Sequence, residues 1–164
     1  MKMISDKMAA RLNEQVKNEF FAFWSYLAMA YSFESMGFKG FAQWFFAQAD
    51  EEKGHATKIA GYLLDQGAEV ILQPLPEPKA KYASVEEIIK AAQQHELKVT
   101  KQVHEIVDLA VAENDHATRK FIDWKVEEQV EEVSTITAML ELVQKCETPG
   151  QLLMMESQLS RGEG

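Results

Sequence analysis

Apolar residues recur along the chain at steps of four and three, the spacing that gathers them on one face of an α-helix. Met8, Leu12, Val16, Phe23, Tyr26 and Ala30 trace one stripe, and Phe41, Phe45, Ile59 and Leu63 a second. Ile88, Ala92, Val99, Val103 and Ile106 form a third, and Ala117, Phe121, Trp124, Thr135, Met139 and Leu142 a fourth. Sustained period-two alternation is missing, so no strand is predicted. Pro74, Pro76 and Pro78 cluster between the second and third stripes, and Pro149 stands alone near the end. Gly37 and Gly40 divide the first proline-free block. Glu113-Asn114-Asp115-His116 divides the second, with Asn and Asp suited to a helix stop followed by a fresh N-cap. The pattern predicts helices over about 6–35, 39–66, 84–112 and 116–145. A short fifth follows over about 148–160, with Thr148 as N-cap, Pro149 in the first helical position and apolar Leu152, Leu153, Met155 and Leu159.

The proline-rich connection, about 67–83, carries topological information. Antiparallel neighbours need only about 2–8 residues between them. Extended, this segment reaches roughly 55 Å, further than the ~42 Å of a 28-residue helix. It is long enough to run the length of a bundle and deliver the third helix to the opposite end. The expected fold is all-α, a four-helix bundle with one long crossover and a short C-terminal fifth helix, forming a single domain over 1–164.

Acidic residues interrupt the stripes. Glu19 falls in register on the first, Gln48, Glu52 and His55 on the second, Glu96 on the third, and Glu128 with Glu131 or Glu132 on the fourth. Each buried ionised carboxylate costs several kcal/mol, and no stripe in this register carries a lysine or arginine near them. Metal cations resolve the conflict by supplying charge and accepting oxygen lone pairs. Carboxylates with a single imidazole differ from the thiolate-rich sets of structural zinc, and calcium seldom recruits histidine. Iron or manganese fits this ligand set, with two ions about 3.5–4 Å apart bridged by carboxylates.

Composition narrows the setting. The chain of 164 residues has a formal charge of −9, which argues against a duplex nucleic-acid binder with its clustered basic face. Its single cysteine, Cys146, cannot form an internal bridge, which suits a reducing compartment. The N-terminus lacks the apolar run of a signal peptide, and no stretch has the roughly 18 apolar residues of a membrane span. A cytoplasmic protein with no membrane or nucleic-acid partner is expected.

On five segments the sequence resembles the non-haem ferritins of bacteria and archaea. These are Leu12-Asn13-Glu14-Gln15 through Glu19, Gly37-Phe38-Lys39-Gly40-Phe41, Glu51-Glu52-Lys53-Gly54-His55, His95-Glu96, and Trp124 through Glu132. The resemblance implies a ferritin-like bundle with a di-iron ferroxidase centre inside each subunit. One iron would be held by Glu19, Glu52 and His55; the second would share Glu52 and use Glu96 and Glu132, with Gln129 close by. A third iron site would use Glu51, Glu128, Glu131 and Glu132. Tyr26, on the Glu19 face, is similar to the family's tyrosine beside the centre and with Trp124 would supply electrons; ordinary aromatic packing is the other reading of both. His95 adjoins Glu96 and is a candidate to support it. The family further implies a homo-oligomeric hollow shell of 24 subunits that oxidises Fe(II) with O2 or hydrogen peroxide and stores ferric oxo-hydroxide.

The chain departs from relatives in instructive ways. Gln129 and Glu132 stand where bacterioferritins carry a second Glu-x-x-His, which implies an asymmetric iron pair suited to passing iron onward. Lys53 occupies the place of the bacterioferritin haem-ligating methionine, so no haem is expected. Val133 interrupts an acidic run that many relatives continue. Two other readings of the bundle are a rubrerythrin-like peroxide-reducing di-iron protein, whose rubredoxin-type extension needs four cysteines, and a non-catalytic cage subunit, which has no use for buried glutamates. A DNA-binding mini-ferritin often carries a basic tail, whereas Ser160-Arg161-Gly162-Glu163-Gly164 is short and mixed.

Overall fold

The structure is a computed structural model and describes residues 1–159. Helix α1 runs over Asp6–Met36, α2 over Lys39–Asp65, α3 over Val85–Ala112, α4 over His116–Phe121, α5 over Asp123–Gln144 and α6 over Pro149–Leu159. The expected helices are present with boundaries moved by a residue or so, except that the fourth is broken at Ile122 into α4 and α5. The expected end of the fifth helix at 160, and the mixed tail 160–164, lie outside the described residues.

Local chemistry accounts for the helix ends. Ser5 caps α1 through its hydroxyl to the Met8 N–H, and Ser84 does the same for α3 at Glu87. Asp115 caps α4 by accepting from both the Thr118 N–H and hydroxyl. The Thr148 hydroxyl accepts from Gln151 N–H at the start of α6. Gly37 ends α1 at φ +83°, a left-handed conformation that satisfies the last carbonyls: Gly37 N–H donates to Glu34 O and Phe38 N–H to Phe33 O. Asn114, at φ 55°, makes the corresponding turn after α3.

The crossover, residues 66–84, is tied to the outside of α1. Asn13 accepts from Ile71 N–H at 2.7 Å and donates to Glu69 O at 2.9 Å, and Ser32 donates to Ala80 O at 3.1 Å. Asn13 and Ser32 lie roughly 28 Å apart along the helix axis, so the connection climbs most of α1 before α3 begins. That climb sets α3 parallel to α2 and makes α1–α2 and α3–α5 the two antiparallel pairs, with α6 laid against α2. The apolar interior is divided. One cluster holds Tyr26, Phe33, Phe41, Phe45, Ile88, Ile89 and Ile136. The other holds Met8, Leu12, Val16, Ile59, Leu63, Val103 and Ile106. Between them lies a belt of buried polar side chains.

Candidate metal centre

Each long helix contributes to the belt from near its middle. Gln15 and Glu19 come from α1, Gln48, Glu52 and His55 from α2, Glu96 from α3, and Lys125, Gln129 and Glu132 from α5; all are buried. Helical spacing explains the pairings, since residues three or four apart share a face. Gln15 donates to Glu19 Oε1 at 2.6 Å, and Gln48 donates across the bundle to Glu132 Oε1 at 2.8 Å. Tyr26 donates to Glu96 Oε1 at 2.5 Å, and Gln129 Nε2 to Glu96 Oε2 at 3.2 Å. His55 Nδ1 lies 3.1 Å from Glu52 Oε2 and 3.5 Å from Glu19 Oε2, and His55 Nε2 lies 2.9 Å from Glu128 Oε1.

Two groups of potential ligand atoms emerge, each with its atoms within 4.8 Å of one another. Glu19, Glu52 and His55 form the first, and Glu51, Glu128 and Glu132 the second. The second lies toward solvent, with Glu51 exposed and Glu128 half-buried. Glu131 is exposed and outside it. Glu96 lies in the belt beside Tyr26 and Gln129, outside both groups. Trp124 sets its ring 5.4 Å from the His55 ring, and His95 packs edge-on to Tyr26 at 6.0 Å. Glu19 Oε2 is buried with no hydrogen-bond partner among the described residues, although it faces His55 Nδ1 and Lys125 Nζ. A buried, unsatisfied carboxylate oxygen aimed into a His–Glu cluster suits a cation.

Lys125 corrects the reading of helix four. The expected inward stripe places Ala117, Phe121, Trp124, Glu128, Thr135 and Leu142 one residue out of register, whereas Glu132 and Met139 face inward as expected. The buried positions are Thr118, Ile122, Lys125, Gln129, Glu132, Ile136, Met139, Leu140 and Val143. The cluster therefore does contain a basic residue, and a completely buried one. Its Nζ lies 2.8 Å from His55 Nδ1, 3.4 Å from Glu19 Oε2 and 3.9 Å from Glu52 Oε2. A signal was available in the sequence: Lys125 is four residues before Gln129 and seven before Glu132, and so shares their face. Bulky Phe121 and Trp124, now seen to be half-buried on the flank, draw the seam toward themselves.

One ammonium does not balance Glu19, Glu52, Glu96 and Glu132, and the electrostatics reflect the surplus. Burial pushes Glu19 up, but the Lys125 charge and hydrogen bonds from its neighbours overcome this and hold it at about 2. Burial pushes Glu52 up more strongly than His55 and Lys125 pull it down, leaving it at about 8. Glu132 is raised by burial to about 7. Burial disfavours a charged His55, yet its hydrogen bonds to Glu128, Glu19 and Glu52 raise it to about 11. Burial also opposes the Lys125 charge, and Glu19 and Glu52 outweigh it, so its pKa lies above the ordinary value. Metal-free, the belt thus retains protons on carboxyl groups that a cation would displace.

The family model described as a ferritin-like domain matches residues 9–146. The chain belongs to the ferritin family. It is 38% identical over 133 residues to a bacterial non-heme ferritin of Staphylococcus epidermidis, covering 81% of this chain and 80% of the relative. To the bacterial non-heme ferritin of Bacteroides fragilis it is 34% identical over 159 residues, 97% of this chain and 99% of the relative. Among solved structures, an open-pore ferritin from the archaeon Archaeoglobus fulgidus superimposes with a TM-score of 0.94 at 37% identity. That match covers 96% of this chain and 98% of the archaeal one. The ferritin fold, with its single long crossover, is thereby established. Among the described residues no helix is long and apolar enough to cross a membrane.

Proposed function

We propose that this ferritin stores iron and oxidises it on the way in, at a di-iron centre within each chain. The supporting observation is the buried belt itself: four carboxylates and one imidazole from four helices, interrupting an otherwise apolar interior. Glu19, Glu52 and His55 would hold one Fe(II), and Glu52, Glu96 and Glu132 the other, with Gln129 beside it. Each Fe(II) gives up one electron. The pair reduces O2 with two protons to hydrogen peroxide, or hydrogen peroxide with two protons to two waters. Anionic oxygen ligands favour Fe(III) over Fe(II) and so drive the transfer. Tyr26 and Trp124 are the side chains from which further electrons would be drawn. Glu51, Glu128 and Glu132, with Glu131 one turn from Glu128, form an acidic outer group suited to a third iron and to onward movement.

Storage requires a cavity, which one chain does not enclose. Trp24, Tyr31, Ile71 and Leu72 are exposed on α1 and the crossover, an apolar surface that supports self-association into a closed shell. Twenty-four copies of an 18.6 kDa chain would form a shell of about 450 kDa. An anaerobic Fe(II) titration followed by oxygen tests the catalytic reading. Rapid oxidation in the wild type, lost in Glu52→Ala, is expected; equal rates in the two would overturn it. Sedimentation or light scattering measures the assembly, and a monomer in solution would refute the shell.

A further inference from the structure

We propose that Lys125 is a resident cation of the centre, one that holds the Glu19–Glu52–His55 site together while it is empty and competes with the incoming metal for the same three atoms. The inference rests on the metal-site reading above and concerns how tightly that site binds.

Three observations carry it. First, Lys125 is completely buried, which a lysine adopts only where carboxylates surround it. Second, its Nζ approaches the same atoms that make up the first ligand group: His55 Nδ1, Glu19 Oε2 and Glu52 Oε2. These are not the outward oxygens of those carboxylates, which Gln15 and Gln48 already occupy. Third, His55 is oriented from its far side. Nε2 lies 2.9 Å from Glu128 Oε1, which turns Nδ1 inward to within 2.8 Å of Lys125 Nζ. Nδ1 is therefore the ring atom that an ion at this focus would have to take. Each donor atom at the focus thus meets either the ammonium or the ion, and an ion bound there has a positive charge as its neighbour unless the ammonium withdraws.

The surroundings offer a place to withdraw to. Glu128 lies one helical turn further along α5, half-buried at the edge of the belt, and the Trp124 ring centroid is 5.9 Å from Nζ. An ammonium shifted toward Glu128 and the indole face keeps a partner while it vacates the focus. The consequence is a site whose carboxylates stay gathered without metal, and whose affinity is held down so that iron is released onward.

Redox-inactive Zn(II) provides the test, because binding is then read without turnover. Calorimetric titration of the chelator-treated protein compares wild type, Glu52→Ala, Lys125→Met and Lys125→Arg. Lys125→Met is expected to bind Zn(II) at least tenfold more tightly at one site per chain, and Lys125→Arg to remain near wild type. Unchanged or weaker binding by Lys125→Met would overturn the proposal. If Zn(II) binds wild type and Glu52→Ala equally, it is the underlying metal-site reading that fails instead. Should Lys125→Met not fold, a Zn(II)-soaked crystal of the wild type decides. An ion on His55 Nδ1 with Nζ moved out of hydrogen-bond reach supports displacement, and an ion at Nδ1 with the ammonium unmoved refutes it.

Discussion

The buried belt makes the metal-free protein sensitive to pH in a direction opposite to that of an ordinary surface glutamate. Glu52 rises from 4.5 to about 8 on folding, chiefly because burial disfavours its charge. Between those values the native state binds a proton that the unfolded chain has released, so stability falls as pH rises. At 1.36 kcal/mol per unit the loss from Glu52 is about 5 kcal/mol by pH 8 and above. Glu132, raised to about 7, acts in the same direction over a narrower window. Glu19 has the opposite sign: held at about 2, it stabilises above pH 4.5 and loses that contribution only as pH falls toward 2.

Glu52→Gln isolates the effect, since glutamine reproduces the shape of the protonated side chain at every pH. The assay is thermal unfolding of chelator-treated wild type and variant, followed by circular dichroism from pH 5 to pH 9 at fixed protein concentration. Near pH 5 the two should melt together. By pH 9 the variant should be the more stable by up to about 5 kcal/mol, roughly 10–20 °C for a chain of this size. Added Zn(II) should reverse the order at high pH, because only ionised Glu52 binds metal. Melting curves that stay parallel across the range would refute the buried, protonated Glu52.

Further outcomes follow from single contacts. Tyr26→Phe removes the only hydroxyl bonded to Glu96 Oε1 among the described residues and should cost about 1.5–3 kcal/mol in chemical denaturation; an unchanged midpoint would contradict the contact. Asn13→Ala strips the crossover of its bonds to Glu69 and Ile71, so amide exchange at Ile71 should rise while the α2 interior stays protected. Gly67 sits at φ +71° with Met1 O 2.6 Å from where a Cβ would stand, so Gly67→Ala should lower the melting temperature and loosen the N-terminus, read by exchange at Met3.

The helices were legible because their signals are local. Asn114-Asp115 and Thr148-Pro149 declare helix ends within a few residues, and the stripes on α1, α2 and α3 predict Glu19, Glu52, His55 and Glu96 as buried, as they are. Helix four was less legible. Two stripes one residue apart fit it about equally, and hydrophobicity alone favours the one holding Phe121 and Trp124 over the one holding a lysine. The break at Ile122 was also invisible, since Thr118 through Val126 carries no glycine or proline to mark it.

The sequence by itself determined the helical segments, their caps, the long crossover and the presence of too many inward carboxylates for an apolar core. These follow from periodicity and nearest-neighbour chemistry along one strand of chain. Only the tertiary structure decided that Lys125 lies among those carboxylates, that Gln48 reaches Glu132, and that Glu131 stays outside the cluster. Burying a lysine is favourable only when Glu19, Glu52 and Glu96, from three separate helices, surround it at once. That balance of charge exists nowhere along the chain; it arises when the helices dock.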